Sequence, residues 1–213
     1  MDPLVWLNGA GVSLGGQTAL RDIDLTLKPS EVLGVVGPNG SGKTTLLRLI
    51  AALVPPRVGS GTVLGAALGT PEVYPVRRRI GLIGHSPSLI PELTIMENLV
   101  HAVRLAGLEP DRIVRALKVV GLEGASDRRF SACSHGMQRR TEIALILLRR
   151  PDLLLLDEPM SGLDEDAKGL VDALIGRVTG NGGGVVMVSH ETSHLSSCHR
   201  ILGLPGGAIE VDG

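Results

Sequence analysis

A glycine-rich segment that ends in Lys-Thr-Thr has the residue types needed to bind phosphate groups. Glycines let successive backbone N–H groups point into one concavity, and a helix that starts there adds partial positive charge. The segment fits the phosphate-loop pattern G-x-x-x-x-G-K-[ST]. It consists of Gly37, Pro38, Asn39, Gly40, Ser41, Gly42, Lys43, Thr44 and Thr45.

The flanking residues place this loop between a strand and a helix, as a phosphate loop requires. Residues 32–36 are apolar apart from one glycine and predict a buried strand, and the apolar residues of 46–53 recur at helical spacing. A turn that only caps a helix is the alternative, but it needs one or two glycines and no Lys-Thr pair. We predict a nucleotide-binding loop in which Lys43 reaches the β- and γ-phosphates and Thr44 binds Mg²⁺.

Two adjacent carboxylates, Asp157 and Glu158, follow the four leucines of 153–156, which predict a fully buried strand. Ligands of parallel sheets bind at the carboxyl ends of the strands, so we expect this pair beside the phosphate loop. Asp157 is predicted to hold Mg²⁺ through its water shell, and Glu158 to orient or deprotonate the water that attacks the γ-phosphate. Ser189 and His190 end the next predicted strand and could reach the same phosphate. An acidic turn is the alternative, but it is less common for an adjacent pair.

The composition excludes several classes of protein. With 43% hydrophobic and 20% charged residues in 213, the chain is expected to fold as one large domain or as a core with a subdomain. Only 1% of the residues are aromatic and the formal net charge is −1, which argues against a nucleic-acid partner. Two cysteines indicate no disulfide framework and a reducing compartment. No secretory signal and no apolar run of ~18 residues is seen, so we expect a membrane role only through a partner.

The order of the predicted elements indicates an α/β fold of the P-loop NTPase type. Period-2 alternation within residues 1–31 predicts an N-terminal antiparallel β-subdomain, and strands separated by helices predict a parallel-sheet core. A capping box at Thr94 and further helical patterns predict an inserted helical subdomain. Residues 200–211 resemble a closing hairpin that turns at Pro205, Gly206 and Gly207. We expect one domain over 1–213, with the β-subdomain and core in 1–86 and 151–213 and the helical subdomain in 87–150.

Five motifs in this order resemble the ATP-binding subunit of an ABC transporter over nearly the whole chain. They are the phosphate loop, residues 133–137, the carboxylate pair, residues 161–164 and His190. Residues 133–137 are similar to the Leu-Ser-Gly-Gly-Gln signature of that family, with Ser134 and Gly136 kept and with Cys133, His135 and Met137 as departures.

The resemblance implies an ATPase that works as a dimer. Ser134 and Gly136 at the start of a helix in one subunit would bind the γ-phosphate held by the phosphate loop of the other. Asp164 would belong to a loop that crosses this interface, and His190 would be the switch histidine. The partner could be a second copy of the chain or a related ATPase, and the cofactors would be ATP and Mg²⁺.

Two further departures concern the nucleotide site. The family usually has an aromatic residue that stacks on adenine where this chain has Leu14, so base recognition is expected to be permissive. His85 stands where the family has a glutamine, and it could contact Mg²⁺, the water of the metal or only a coupling loop, since Mg²⁺ prefers oxygen ligands. The pair Gly84-His85 is similar to the ATPase of the cytochrome c biogenesis haem exporter.

By this resemblance the chain would hydrolyse ATP at the cytoplasmic face of the cell membrane and power transport through integral-membrane permease subunits. The coupling helix of the permease is expected near residues 85–98. A haem exporter is the favoured subgroup, and a multidrug or ABC-2 type exporter is an alternative. A soluble ABC-type ATPase that acts on ribosomes or DNA is another, although such relatives usually carry two cassettes or a long coiled-coil insertion. A nucleotide-binding subunit without turnover is disfavoured by Lys43, Glu158 and His190.

Overall fold

The computed structural model describes residues 2–161, 163–190, 195–204 and 207–209. Its strands are, in chain order, β1 (Val5–Leu14), β2 (Gln17–Leu27), β3 (Val32–Val36), β4 (Val58–Val63), β5 (Ala66–Ala67), β6 (Ile80–Ile83), β7 (Leu153–Asp157), β8 (Gly184–Ser189), β9 (Arg200–Gly203) and β10 (Gly207–Ile209). The helices are α1 (Lys43–Ile50), α2 (Val73–Val76), α3 (Ile95–Leu105), α4 (Ile113–Val119), α5 (His135–Arg149) and α6 (Glu165–Gly180).

The first sheet is antiparallel and has the strand order β2-β1-β4-β5. Strands β1 and β2 pair with Val5 opposite Leu27 and are joined at Gly15-Gly16, as the alternating pattern predicts. Strand β4 pairs with the other edge of β1, with Val5 opposite Val63. The antiparallel layer predicted within residues 1–31 is therefore completed by two strands that follow the phosphate-loop helix α1.

The second sheet has the order β10-β9-β3-β8-β7-β6 and is parallel except for the pair β9-β10. Strands β7 and β8 are buried along their whole length, since helices or the first sheet cover both faces. Val36 lies opposite Ser189, and Asp157 lies opposite Val188. The carboxyl ends of β3, β8 and β7 therefore meet at one edge of the sheet. The predicted hairpin is present as β9 and β10, while Pro205 and Gly206 of its turn lie outside the described residues.

The hydrophobic core is divided between the two faces of the parallel sheet. Leu153 and Leu155 pack towards α1 and the antiparallel sheet, whereas Leu154 and Leu156 pack towards α3, α4, α5 and α6. All four are fully buried, and burial of one such side chain stabilises the fold by about 1.5–3 kcal/mol. The helical segment shares a core with the sheet, and its division from the rest at residues 87 and 150 stays a prediction.

The helix starts follow from local sequence signals. Thr94 forms a complete capping box with Glu97 at the start of α3, as predicted. The Ser134 and Asp164 side chains cap α5 and α6 by accepting hydrogen bonds from backbone N–H groups.

Within the described part of the chain, no helix combines the length and apolarity that a bilayer span requires.

Asn98 fixes the segment that precedes α3. Its side chain is 1% exposed. Its Nδ2 donates to the carbonyl oxygens of Ile90 at 2.9 Å and Thr94 at 3.0 Å, and its Oδ1 accepts from the Ile90 N–H at 2.7 Å. A buried amide with this many partners holds residues 90–94 in one conformation.

We expect Asn98→Leu to lower the free energy of unfolding by about 2–4 kcal/mol, because it leaves buried backbone groups without partners. Urea denaturation followed by circular dichroism measures this. Asn181→Leu is the control, since that exposed side chain makes a single bond to the Arg177 carbonyl. Equal losses for the two variants would contradict the role of Asn98.

Candidate active site

The phosphate loop connects β3 to α1 and has its lysine folded onto it. Lys43 is 8% exposed, and its Nζ donates to the carbonyl oxygens of Gly37 at 2.7 Å and Pro38 at 3.1 Å. Helix α1 begins at Lys43 without a side-chain cap, so backbone N–H groups of its first turn have no partner within the helix. These donors and the ammonium group can bind an anion at the same place.

Two residues of the loop, Gly42 and Ser41, have a geometry that suits a phosphate-binding loop. Gly42 has a φ of +97°, and a Cβ there would lie 2.5 Å from the Ala19 carbonyl oxygen, so glycine is required on both counts. The Ser41 Oγ is buried and has no hydrogen-bond partner among the described residues. A buried hydroxyl without a partner is costly, and a phosphate oxygen could satisfy it.

Thr44 and Asp157 come together in the structure as predicted for a metal site. The Thr44 Oγ1 donates to Asp157 Oδ2 at 2.8 Å, and Asp157 is 4% exposed. Hydroxyl and carboxylate oxygens suit Mg²⁺, which is usually held by one or two protein groups together with water and substrate phosphates. In the described ranges, no group of three His, Cys, Asp or Glu side chains is arranged to hold a metal by itself.

Glu158 is held by the end of β8. Its Oε1 lies 2.8 Å from His190 Nδ1, and its Oε2 accepts from Ser189 Oγ at 3.2 Å. With the carboxyl ionised, the first contact requires the proton of His190 on Nδ1. Glu158 also has a φ of +50°, which costs about 1–3 kcal/mol for a residue other than glycine. The contacts with Ser189 and His190 fix this carboxylate, which can orient a water molecule or accept a proton from it.

These groups line one cavity of about 460 Å³. It is large enough for the polyphosphate of a nucleotide together with ordered water. His85, exposed after β6, also lines it, as does Ser161 of the 161–164 motif. Ala19, which the sequence analysis did not select, lines it too. Ala19 lines the cavity because strand β2 passes beside the phosphate loop. No local sequence pattern indicates that these two segments are neighbours. The full lining is Ala19, Asn39, Gly40, Gly42, Lys43, Thr44, Thr45, His85, Asp157, Glu158, Ser161 and His190.

Gly37, Pro38 and Ser41 of the phosphate loop do not line this cavity, and neither do four predicted site residues outside the loop. Leu14 is 39% exposed at the end of β1. Ser134 accepts from the Met137 N–H at 3.3 Å, and Gly136 has open space where a Cβ would stand. Asp164 accepts from Ala167 N at 2.7 Å and from Arg140 Nη2 at 3.2 Å. The roles predicted for these four residues stay predictions.

Comparisons with known proteins relate this chain to one family. Residues 20–161 match the model of the ABC transporter family. The phosphonates import ATP-binding protein PhnC of Alcaligenes faecalis is 35% identical over 93% of this chain and 78% of its own length. The cytochrome c biogenesis ATP-binding export protein CcmA of Cupriavidus necator is 36% identical over 88% of this chain and 83% of its own.

A solved structure gives the same result for the fold. The ATP-binding cassette MJ0796, in a dimeric post-hydrolysis state bound to ADP and Pi, superposes with a TM-score of 0.82. It is 27% identical in sequence, and the match covers 94% of each chain.

The loop geometry predicts unequal costs for two glycine substitutions. Gly40→Ala should cost about 1–2 kcal/mol of unfolding free energy because of its positive φ alone, since a Cβ there would meet nothing within 4 Å. Gly42→Ala should cost roughly 1–3 kcal/mol more, because its Cβ would collide with the Ala19 carbonyl oxygen. Urea unfolding without nucleotide compares the two. Equal costs would show that the contact with β2 does not constrain the loop.

Proposed function

This chain belongs to the ABC transporter family of ATP-binding subunits and hydrolyses ATP, and we propose that it does so with Mg²⁺, as a dimer that powers transport through separate integral-membrane permease subunits. The observation that carries the proposal is the convergence of the phosphate loop, the Thr44–Asp157 pair and the Glu158–His190 pair in one cavity. The subunit would be peripheral, at the cytoplasmic face of the cell membrane.

Each group in the cavity has a proposed part in hydrolysis. Lys43 would leave the loop carbonyls and bind the β- and γ-phosphates, whose charge it complements. Thr44 and Asp157 would hold Mg²⁺, which when bound supplies charge neutralisation at the phosphates. Glu158 would orient the attacking water and accept its proton, while His190 and Ser189 keep the carboxylate in place. His85 would contact the water shell of the metal or the permease, since an imidazole is a poor Mg²⁺ ligand.

A dimer is supported by the residues that stay outside the cavity. Ser134 and Gly136 stand at the start of α5, where Ser134 is exposed and Gly136 leaves open space. Asp164 caps α6 and is also exposed. Such a helix start has free N–H groups suited to a γ-phosphate, and these groups would complete the nucleotide site of a second subunit. The dimeric state of the MJ0796 cassette supports the same arrangement.

For the cargo, we propose haem export for cytochrome c biogenesis. The pair Gly84-His85 and the similarity to CcmA favour it. The phosphonate relative is nearly as similar, so the proposal depends on the Gly84-His85 pair rather than on overall identity. Substrate contacts in such machines lie mainly in the membrane subunits.

Recovery of the partner tests this proposal. We would tag the Glu158→Gln chain, solubilise native membranes gently in the presence of ATP, and identify the proteins that copurify. A multi-span permease is expected, together with haem-handling components. A permease of another exporter class would overturn the haem assignment only. Ribosomal or DNA-repair proteins without a membrane partner would overturn the transport function but leave the ATPase in place.

Glu158→Gln should bind ATP within about threefold of the original affinity but lower kcat by at least ~100-fold, because the amide cannot accept the proton. Trapped with ATP, the variant should elute as a stable dimer, whereas the original chain returns to monomer after hydrolysis. Steady-state ATPase assays and light scattering measure the two effects. Glu123→Gln, an exposed change in the helical segment, is the control. Rapid turnover by Glu158→Gln would remove this residue from the proposed role.

A further inference from the structure

A buried ion pair stands one helical turn after the start of α5. Arg139 and Glu142 are each 4% exposed, and Arg139 Nη1 lies 3.1 Å from Glu142 Oε2. Burial raises the pKa of the Glu142 carboxyl, and the Arg139 guanidinium partly offsets this rise. The sequence analysis did not select this pair, because charges three residues apart on a helix usually lie on its solvated face.

Both members of the pair contact the segment that carries His85. Arg139 Nη1 donates to the Gly84 carbonyl oxygen at 3.1 Å. The backbone N–H of Ser88 faces the Glu142 carboxylate and lowers its pKa. Residues 84–88 are therefore bonded to α5 at Gly84 and face it at Ser88, while His85 between these two residues is exposed and lines the nucleotide cavity.

The energetics of this pair indicate a role other than stability. Removing two charges from water costs several kcal/mol per ion, and apolar residues of similar size are often at least as stabilising. Arg139 Nε is also buried without a hydrogen-bond partner in the part of the chain that the structure describes. An unmade bond of this kind costs about 1–3 kcal/mol. The pair instead fixes the position of α5 relative to the chain at Gly84, because Arg139 bonds to the carbonyl oxygen of that residue.

We propose that Arg139 and Glu142 are positioning residues that link the start of α5 to residues 84–88, so that a shift of α5 moves His85 in the nucleotide cavity. The inference rests on the proposed function of Ser134 and Gly136, which stand at the same end of α5. Engagement of that helix start by the nucleotide of a second subunit would pass through the ion pair to the first subunit's own cavity. The pair acts through the loop and contacts neither the substrate nor the metal.

The test replaces both charges in the full-length chain. Arg139→Met with Glu142→Leu keeps the approximate volumes and leaves no unpaired charge, so the unfolding free energy should stay equal or rise. Amide hydrogen exchange without nucleotide should become at least about tenfold faster in residues 84–88, where the contacts with α5 are lost. The kcat for ATP should fall by roughly tenfold while the nucleotide Kd stays within about twofold, because the phosphate loop is untouched.

Arg79→Met with Asp152→Leu is the matched control. That pair joins the starts of β6 and β7 at the end of the sheet away from the cavity, with Arg79 Nε 2.5 Å from Asp152 Oδ2, and both side chains are about half exposed. We expect no change in exchange at residues 84–88 or in kcat. A purely structural Arg139–Glu142 pair would alter the unfolding free energy without changing kcat per folded molecule, and that result would overturn the proposal.

Arg139→Lys provides a second measurement if the double variant does not fold. Lysine keeps the charge beside Glu142, but its side chain is shorter than that of arginine and it lacks the planar guanidinium that sets the direction of Nη1. The bonds from this one nitrogen to Glu142 and to the Gly84 carbonyl cannot then both keep their geometry. Exchange at residues 84–88 should rise and kcat should fall by about threefold or more. Unchanged values for both would overturn the proposal. A result that overturns the transport function alone would leave this proposal in place, since the exchange measurement uses neither nucleotide nor permease.

Discussion

The register of three parallel strands is the constraint on which the rest of the site depends. Strand β8 lies between β3 and β7, with Val36 opposite Ser189 and Asp157 opposite Val188. Whatever follows these strands in the chain must then emerge at the same edge. The phosphate loop, Glu158 and His190 are far apart in sequence. This register brings Thr44 of the loop within hydrogen-bond distance of Asp157, and Glu158 within hydrogen-bond distance of His190. Side chains in β7 and β8 that pack on both faces make a slip of register very costly.

The same edge carries most of the unfavourable local geometry of the site. Glu158 has a left-handed backbone conformation, Ser41 Oγ is buried without a partner in the described ranges, and Lys43 binds carbonyls of its own loop. The backbone of Glu158 and the unpartnered Ser41 hydroxyl cost free energy that the leucine core on both sides of the sheet can offset. A bound polyphosphate would satisfy Ser41 and Lys43 together. The folded chain is thus already shaped around the charge it is to receive.

Sequence reasoning located those parts of the site that are continuous in the chain. The loop from Gly37 to Thr45 and the carboxylates after 153–156 have a local pattern with a physical meaning, and the structure places them where the strand ends predicted. The α/β fold with an antiparallel layer was likewise predictable from alternating and continuous apolar runs. Ala19 and the pairing of β4 with β1 depend on contacts between distant segments, for which one sequence contains no signal. Arg139 and Glu142 were missed because their proposed role depends on their burial, which the residue types do not indicate.

Three of the remaining predicted residues share a position that fits the proposed dimer. Ser134, Gly136 and Asp164 stand at the N-terminal ends of α5 and α6, where backbone donors have no helical partner, and none of them lines the cavity. The start of α6 has acidic residues of its own, whereas the start of α5 has none and favours an external anion, yet the anion-binding loop of the same chain is elsewhere. In the proposed dimer, the nucleotide of a second subunit would satisfy the free donors of α5. The ion pair behind Ser134 then connects the surface that would receive a neighbour's nucleotide with the cavity that holds the subunit's own.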